Sequence, residues 1–445
     1  MQKCNTARTN SAAPPQARIN KPLTDLTELL ELPQVRQATP FCDHFTTTRQ
    51  TAAGSHDMSA LPGPTPERLQ IMNGTHATVA DAIGQLSDDQ LQAQLLEGVS
   101  RTFALTIPQL PQALYKAVAN AYLLCRIVDT IEDEVALTSE QKRAFCRDFE
   151  AVVKGRADAA SFSRRLAPLL SQQTIPAEHE LIRCVPRVIA ITHSLDQPQI
   201  DALAECVEIM AKGMADFQDK DLSAGLANLD EMDRYCYYVA GVVGEMLTKL
   251  FCHYSPEIAK NRDTMMKLAV SFGQGLQMTN ILKDVWDDHQ RGVSWLPRDI
   301  FAAYGYDLAQ LSPQNNNAAF RAAYGEVVGV AHGHLRNALE YTMLIPSHET
   351  GMREFCLWAL GMAVLTLRKI NGNLAFTQSS QAKITRRSVK ATIAASRLAR
   401  RCNFLLKLLF NLAGIGYPRP KPRCLRRPIA PTINWTHRQG DIRIC

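Results

Sequence analysis

Tyr122-Leu-Leu-Cys-Arg126-Ile-Val-Asp129-Thr-Ile-Glu132-Asp133 sets charged groups into apolar sequence at the spacing of one helix face. Residues three and four apart on a helix stand above one another, so Tyr122, Arg126, Asp129 and Asp133 form a single stripe. The run leading into it, Ala117-Val-Ala-Asn-Ala-Tyr-Leu-Leu-Cys125, is interior in character. Charges in an interior must be paired or bound to something. The bland reading is an i,i+3 ion pair between Arg126 and Asp129. The sharper one is a lined cleft, with the acids for a metal and the arginine for direct contact with phosphate.

A second stretch repeats the pattern 155 residues on: Gln277-Met-Thr-Asn280-Ile-Leu-Lys283-Asp284-Val-Trp-Asp287-Asp288. Gln277, Asn280, Asp284 and Asp288 share one face of an otherwise apolar helix. Two such faces turned toward each other make an oxygen-rich anionic cage. That suits Mg²⁺, a hard cation that keeps waters while bridging to substrate phosphates. The turn Gln290-Arg291-Gly292-Val-Ser-Trp295-Leu-Pro297 follows, and it can fold Arg291 toward a phosphate. A third segment, Tyr235-Cys-Tyr-Tyr238-Val-Ala-Gly241-Val-Val-Gly244, holds small residues that permit close helix packing. Tyr235 and Tyr238 can hang a hydroxyl into a cavity there, although a tyrosine on a buried helix is more often core.

Outward from these stretches the pattern is helical nearly throughout 79–376, with strand-like alternation scarce, so the expectation is an all-α fold. Helices are predicted over 112–133, 139–155, 177–193, 199–215, 231–253, 262–288, 317–343 and 352–371, with a mobile loop over 216–230 and a basic helix over 385–411. Residues 1–75 hold eight of the 23 prolines and read as a disordered leader; a targeting segment or a start at Met72 are the alternatives. The division expected is a leader (1–75), a helical core (76–376), a basic helical segment (377–415) and a basic tail (416–445). The apolar run Phe355–Leu367 is closed by Arg368 and Lys369, too short for a membrane span.

The net charge of +6 hides an asymmetry. Residues 381–445 carry fifteen Lys and Arg against one acid, +14, which leaves −8 for the rest. A basic arm on an acidic body points to an anionic partner. Aromatic residues for base stacking are sparse in it, so nucleic acid is set aside in favour of a membrane surface or a phosphate-bearing cofactor. The twelve cysteines form no C-x-x-C pair, which reads as buried free thiols in a reducing compartment, not disulfides or zinc. The expected location is the cytoplasm, peripheral to the inner face of a membrane.

Together, Ser100-Arg101-Thr102-Phe103, Tyr122-x3-Arg126-x2-Asp129-Thr-Ile-Glu132-Asp133, Tyr235-Cys-x-Tyr238-Val-Ala-Gly-x-Val-Gly244 and Gln277-x2-Asn280-Ile-x2-Asp284-x3-Asp288 resemble the squalene and phytoene synthase family over 96–390. The D-x-x-E-D and Tyr-Cys-x-Tyr-Val-Ala-Gly forms, with Lys383-Ile-Thr-Arg386-Arg387 beyond the core, resemble its squalene-forming members, and the lack of the membrane anchor that ends their eukaryotic forms is expected to make this a soluble or peripheral bacterial type. Lys283 stands where the family usually has Arg and loses the bidentate grip on phosphate. Asp287 stands where Glu is frequent.

The resemblance implies a single-domain isoprenoid synthase bundle around a central apolar cavity. It implies head-to-head joining of two farnesyl diphosphates through presqualene diphosphate to squalene. Mg²⁺ would be held by Asp129, Glu132, Asp133, Asp284 and Asp288. Diphosphate would lie against Ser100, Arg101, Tyr122, Arg126, Gln277, Asn280, Lys283 and Arg291, and Tyr235 would steer the proton lost in the first half-reaction. No G-x-G-x-x-G follows a strand, so NADPH would rest its phosphates on Lys383, Arg386 and Arg387. A dehydrosqualene or phytoene-type synthase without reduction, and a non-catalytic prenyl-binding protein, are the alternatives.

Overall fold

The computed structural model of the chain describes residues 86–418 apart from Arg101, all within one compact unit spanning 64–445. The expected leader, most of the tail and Arg101 therefore lie outside the described residues. Helices of eight residues or more are α1 (Asp88–Val99), α2 (Gln112–Asp133), α3 (Ser139–Val153), α4 (Ala159–Leu166), α5 (Pro176–Arg183), α6 (Val185–His193) and α7 (Gln197–Ala215). They continue with α8 (Leu229–Cys236), α9 (Val242–Tyr254), α10 (Arg262–Gln290), α11 (Ala318–Leu344), α12 (Thr350–Gly372), α13 (Arg386–Ala399) and α14 (Asn403–Ala413). The described residues contain no strand, only one isolated parallel bridge between Leu226 and Pro297. The all-α expectation holds.

Local chemistry sets several helix starts. Ser87 with Gln90, Thr138 with Gln141 and Asp196 with Gln199 form capping boxes that satisfy otherwise orphaned amides. Three predicted helices are interrupted. The one expected over 177–193 breaks at Cys184, where Pro186 lacks the amide a continuing helix needs. The one over 231–253 carries a π turn, Tyr237–Gly241, between α8 and α9. The basic helix over 385–411 breaks because Cys402 is extended, at φ −122°. Helices α1 and α4 are short and were not expected.

The centre of the bundle is α10, packed by α9, α11, α12 and the π turn, while α2 lies against α1, α3, α7 and α9. A Cβ at Gly273 would collide with the carbonyl of Ala240, and one at Gly244 with that of Ala269. These glycines let the helix bearing the second acidic cluster touch the tyrosine segment backbone to backbone. The loop over 216–230 is tied down: Leu226 N donates to Leu296 O (2.9 Å), Ser294 N to Leu222 O (2.9 Å) and Arg298 N to Leu226 O (2.8 Å). Gly225, at φ +86° and against Leu296 O, allows this approach.

Buried Arg353 donates to the carbonyls of Ile345 and Arg400 and to Asn403 Oδ1, and buried Glu354 meets Arg397 and Arg400. These bonds dock α13 and α14 on α12. On the outer side of α14 and just beyond it, Phe404, Leu408, Leu412 and Ile415 remain 77, 42, 50 and 70% exposed. The eight described cysteines are unpaired, and Cys402 alone among them is exposed. Among the described residues no helix is long and apolar enough to cross a membrane.

Candidate active site

Along α2 the neighbours of Tyr122, Arg126, Asp129 and Glu132 are buried, while these four stay partly accessible and Asp133 is exposed at the helix end. The stripe read from the spacing is thus the open face of an interior helix. Arg126 sits 3.9 Å from Asp129 and forms a closer ion pair with buried Glu178 on α5, with its Nε left without a partner. Glu178 escapes a reading of the sequence because nothing in Pro176-Ala-Glu-His-Glu marks it out from an ordinary first helical turn. Burial pushes the Asp129 carboxyl up to about 7, opposed by Arg126 and reinforced by Asp133 and Glu178. Burial with Asp133 and Asp129 pushes Glu132 up to about 8. Asp129 still keeps 27% of its side-chain surface accessible, as in a recess that water can touch but that protein keeps poorly solvating. Ser100 Oγ accepts from Phe103 N (3.0 Å), and the Phe103 and Tyr122 rings lie 5.0 Å apart, so the start of the first motif abuts the stripe.

Over 272–288 of α10 the accessible positions are Phe272, Leu276, Gln277, Asn280, Lys283, Asp284 and Asp287, apolar first and then polar and charged. Lys283 Nζ lies 3.1 Å from Asn280 Oδ1 and 3.1 Å from Asp284. Arg291 pairs with Asp288, whose carboxyl burial raises to about 6 against the pull of that arginine. Arg291 also feels Asp133 and Asp284, and Glu132 feels Arg291, so the two clusters share one electrostatic field. Among the described residues no three carboxylate, histidine or cysteine groups form a ready metal site. The donor set nevertheless fits Mg²⁺. It is all carboxylate, and its desolvated, mutually repelling acids hold on to protons that a bound cation would displace. Here Arg126, Lys283 and Arg291 supply part of the positive charge.

Tyr235, on α8, is buried, and its hydroxyl is pushed up by burial and by Glu132, Asp133 and Asp129. Its ring stacks on the Trp295 indole, with centroids 3.8 Å apart and planes 11° apart, and meets Phe217 edge-on at 5.3 Å. Tyr238 is buried with its ring where a side chain on Gly213 would stand, which fits core packing. Tyr237 donates to buried Glu245 (3.0 Å).

Lys383, Arg386 and Arg387 are exposed and make no ion pair among the described residues. They lie at the start of α13, just after the short helix Ser379–Ala382, which packs on α10. Trp286 Nε1 of α10 donates to Phe376 O (2.9 Å) in the same connection. A helix start favours an anion, so three cations there repel the local dipole until one binds.

A family model described as squalene/phytoene synthase matches residues 96–388. The squalene synthase of Eremothecium gossypii is 31% identical over 314 residues, 69% of this chain and 68% of the relative. Squalene synthase BSS of Botryococcus braunii is 30% identical, covering 67% of this chain and 62% of its own length. The chain thus spans about two thirds of these relatives. A solved structure named TcSQS, in complex with the ligand BPH1237, superposes with a TM-score of 0.57 at 25% identity, covering 73% of this chain and 97% of that one.

Proposed function

Because the chain belongs to the squalene/phytoene synthase family, we propose that it joins two farnesyl diphosphates head to head, through presqualene diphosphate, to squalene. What carries this reading is the shared field of two carboxylate stripes, studded with Arg126, Lys283 and Arg291, around the buried hydroxyl of Tyr235.

Asp129, Glu132 and Asp133 from α2 and Asp284 and Asp288 from α10 would hold Mg²⁺, which when bound supplies charge to neutralise a departing diphosphate. Arg126, Lys283 and Arg291 would exchange their carboxylate partners for phosphate oxygens as the leaving group develops charge. Ser100, Arg101, Tyr122, Gln277 and Asn280 would orient the diphosphates at the rims. The apolar wall continuing from the charged end of α10, Phe272 and Leu276, would keep water from the allylic cation. Tyr235, its phenol kept neutral by burial and by the nearby acids, would steer the proton lost when the cyclopropane closes toward the released diphosphate, which takes it as base.

For the reductive half, Lys383, Arg386 and Arg387 would hold the phosphates of NADPH, which supplies the hydride. The same reading sets the protein in the cytoplasm against the inner face of a membrane, because the product is nearly insoluble in water and residues 383–418 carry eight Lys and Arg and no acid.

Incubating the purified chain with farnesyl diphosphate and Mg²⁺, with and without NADPH, and identifying the hydrocarbon tests this directly. Squalene that forms only with NADPH is expected, and Lys383→Ala with Arg386→Ala should raise the NADPH requirement about tenfold while sparing condensation. Dehydrosqualene or phytoene-type product regardless of NADPH would replace the reading with the non-reducing one. Substrate binding without any product would replace it with a prenyl-binding protein.

A further inference from the structure

The turn after α10 does more than carry Arg291. Gly292, at φ +77°, reverses the chain immediately past the second acidic cluster, with Val293 N bonded to Asp288 O at 3.1 Å. Three residues further, Trp295 lies nearly parallel to the Tyr235 ring, 3.8 Å between centroids. The opposing loop brings Phe217 edge-on to Tyr235 at 5.3 Å and near Trp295 at 6.5 Å. Neither partner floats. The backbone ladder Leu222–Ser294, Leu226–Leu296 and Leu226–Arg298 locks the turn to the loop on both sides of Trp295. Phe217 is itself covered by cations, with Lys220 Nζ 4.6 Å and Arg234 Cζ 5.3 Å from its ring centre.

A phenol on a helix can turn about two side-chain bonds, and its hydroxyl swings by several ångströms when it does. An indole flat against one face and a phenyl edge against another remove that freedom without touching the hydroxyl. Resting on the role proposed for Tyr235, we infer that Trp295 is a positioning residue: it clamps the Tyr235 ring, and through its turn ties the aim of that hydroxyl to the end of the second acidic helix. The stack costs the active site no polar group, and Trp295, being partly accessible, keeps one side of the ring pair open. Preorganising a reacting group in this way lowers a barrier without strengthening substrate binding, so the loss on removal falls on kcat and not on KM.

The test is a cycle of Trp295 and Tyr235 variants, following conversion of farnesyl diphosphate to presqualene diphosphate without NADPH, with thermal unfolding as the folding control. Trp295→Phe keeps a stacking ring and should stay within about threefold of the parent. Trp295→Leu and Trp295→Ala should lose about tenfold or more in kcat with KM for farnesyl diphosphate little changed. On the residual turnover of Tyr235→Phe, adding Trp295→Ala should cost nothing further, because the two act as a unit. A Trp295→Leu variant as active as Trp295→Phe would reduce the indole to filling. An equal extra loss in the Tyr235→Phe background would mean that it acts independently. Either overturns the clamp. An inactive Tyr235→Phe beside a fully active Trp295→Ala also overturns the clamp and leaves the proposed function standing. Tyr235→Phe at the parental rate removes the role of Tyr235, and the clamp with it.

Discussion

Asp129 is an acid held where an acid is poorly solvated, and that cost is a sign of use. Its carboxyl is lifted to about 7 although Arg126 stands beside it, because burial and the neighbouring Asp133 and Glu178 outweigh one guanidinium. Replacing it with the isosteric, neutral Asn removes the repulsion, and Arg126 keeps its ion pair with Glu178. Asp129→Asn and Asp284→Asn should therefore lower turnover by about 10³-fold, the scale of several kcal/mol of lost charge stabilisation. Neither should lower the melting temperature of the metal-free protein. Product assay at saturating Mg²⁺ beside thermal unfolding checks both halves; near-normal turnover would mean that the acids are not ligands. These residues are legible in the sequence because two carboxylates at i,i+4 in an apolar helix repel each other and call for a cation between them. Glu178 and the face of Trp295 turned to Tyr235 are not legible there, since both depend on which distant segment folds against them.

At the scale of elements, α2 runs from Gln112 to Asp133, the bounds expected, and α10 extends two residues past its expected end. Long amphipathic periodicity fixes such helices well. It does not register a π turn, because one extra residue per turn leaves the apolar pattern of Tyr237–Gly241 intact. The packing beneath Gly273, where a single methyl would meet the Ala240 carbonyl, is likewise invisible without the partner helix. On α14 the sequence stresses charge, whereas the structure adds shape: Phe404, Leu408 and Leu412 repeat every four residues on the solvent side, with Ile415 just beyond. Residues 383–418 carry eight Lys and Arg and no acid. The membrane association proposed above would set this outward apolar stripe into an anionic lipid surface, with the basic stretch around it adding charge attraction. Phe404→Ser with Leu408→Ser removes two side chains worth about 1.5–3 kcal/mol each on burial, so binding should fall by about 10²-fold or more. Co-sedimentation with vesicles containing phosphatidylserine measures it, and binding by the parent should weaken with salt. Binding by the double variant that matches the parent at every salt concentration would overturn the docking face.

For the molecule as a whole, two groups of buried ionisable residues pull stability in opposite directions with pH. His332 lies between the Phe410 and Tyr417 rings, at 5.0 and 4.4 Å, and burial lowers its pKa to about 4, helped by Arg336. A base with a depressed folded pKa contributes fully above its unfolded value of about 6.5 and loses that contribution as pH falls through 4, on the order of 3 kcal/mol. Asp129, Glu132 and Asp288 are raised to about 7, 8 and 6, so the folded chain retains protons that the unfolded chain has released. Their effect has the other sign: metal-free stability declines as pH rises from about 4 toward 8. Melting temperature without metal should peak in mildly acidic buffer, and Mg²⁺ should raise it more at pH 8 than at pH 6. His332→Phe should flatten the acid limb, and hydrogen exchange across α14 should then no longer accelerate below pH 6. An unchanged acid limb in that variant would assign it to other groups. Composition announced the basic arm but not this latch, because no periodicity links a histidine on α11 to rings on and just beyond α14.

The thiols give the molecule one more property. Burial pushes Cys146, Cys184 and Cys356 up to about 12, far from the thiolate that an electrophile needs. Cys402 is exposed immediately before Asn403, where α14 begins, two positions from Phe404 of the outward apolar stripe. Once Cys252, which is partly accessible, and Cys4, Cys42, Cys424 and Cys445, which lie outside the described residues, are replaced, a maleimide dye should attach at this one position under native conditions. The fold has in effect left a labelling handle beside this outward apolar stripe, and a polarity-sensitive fluorophore there would report by its colour whether the surface exchanges water for lipid.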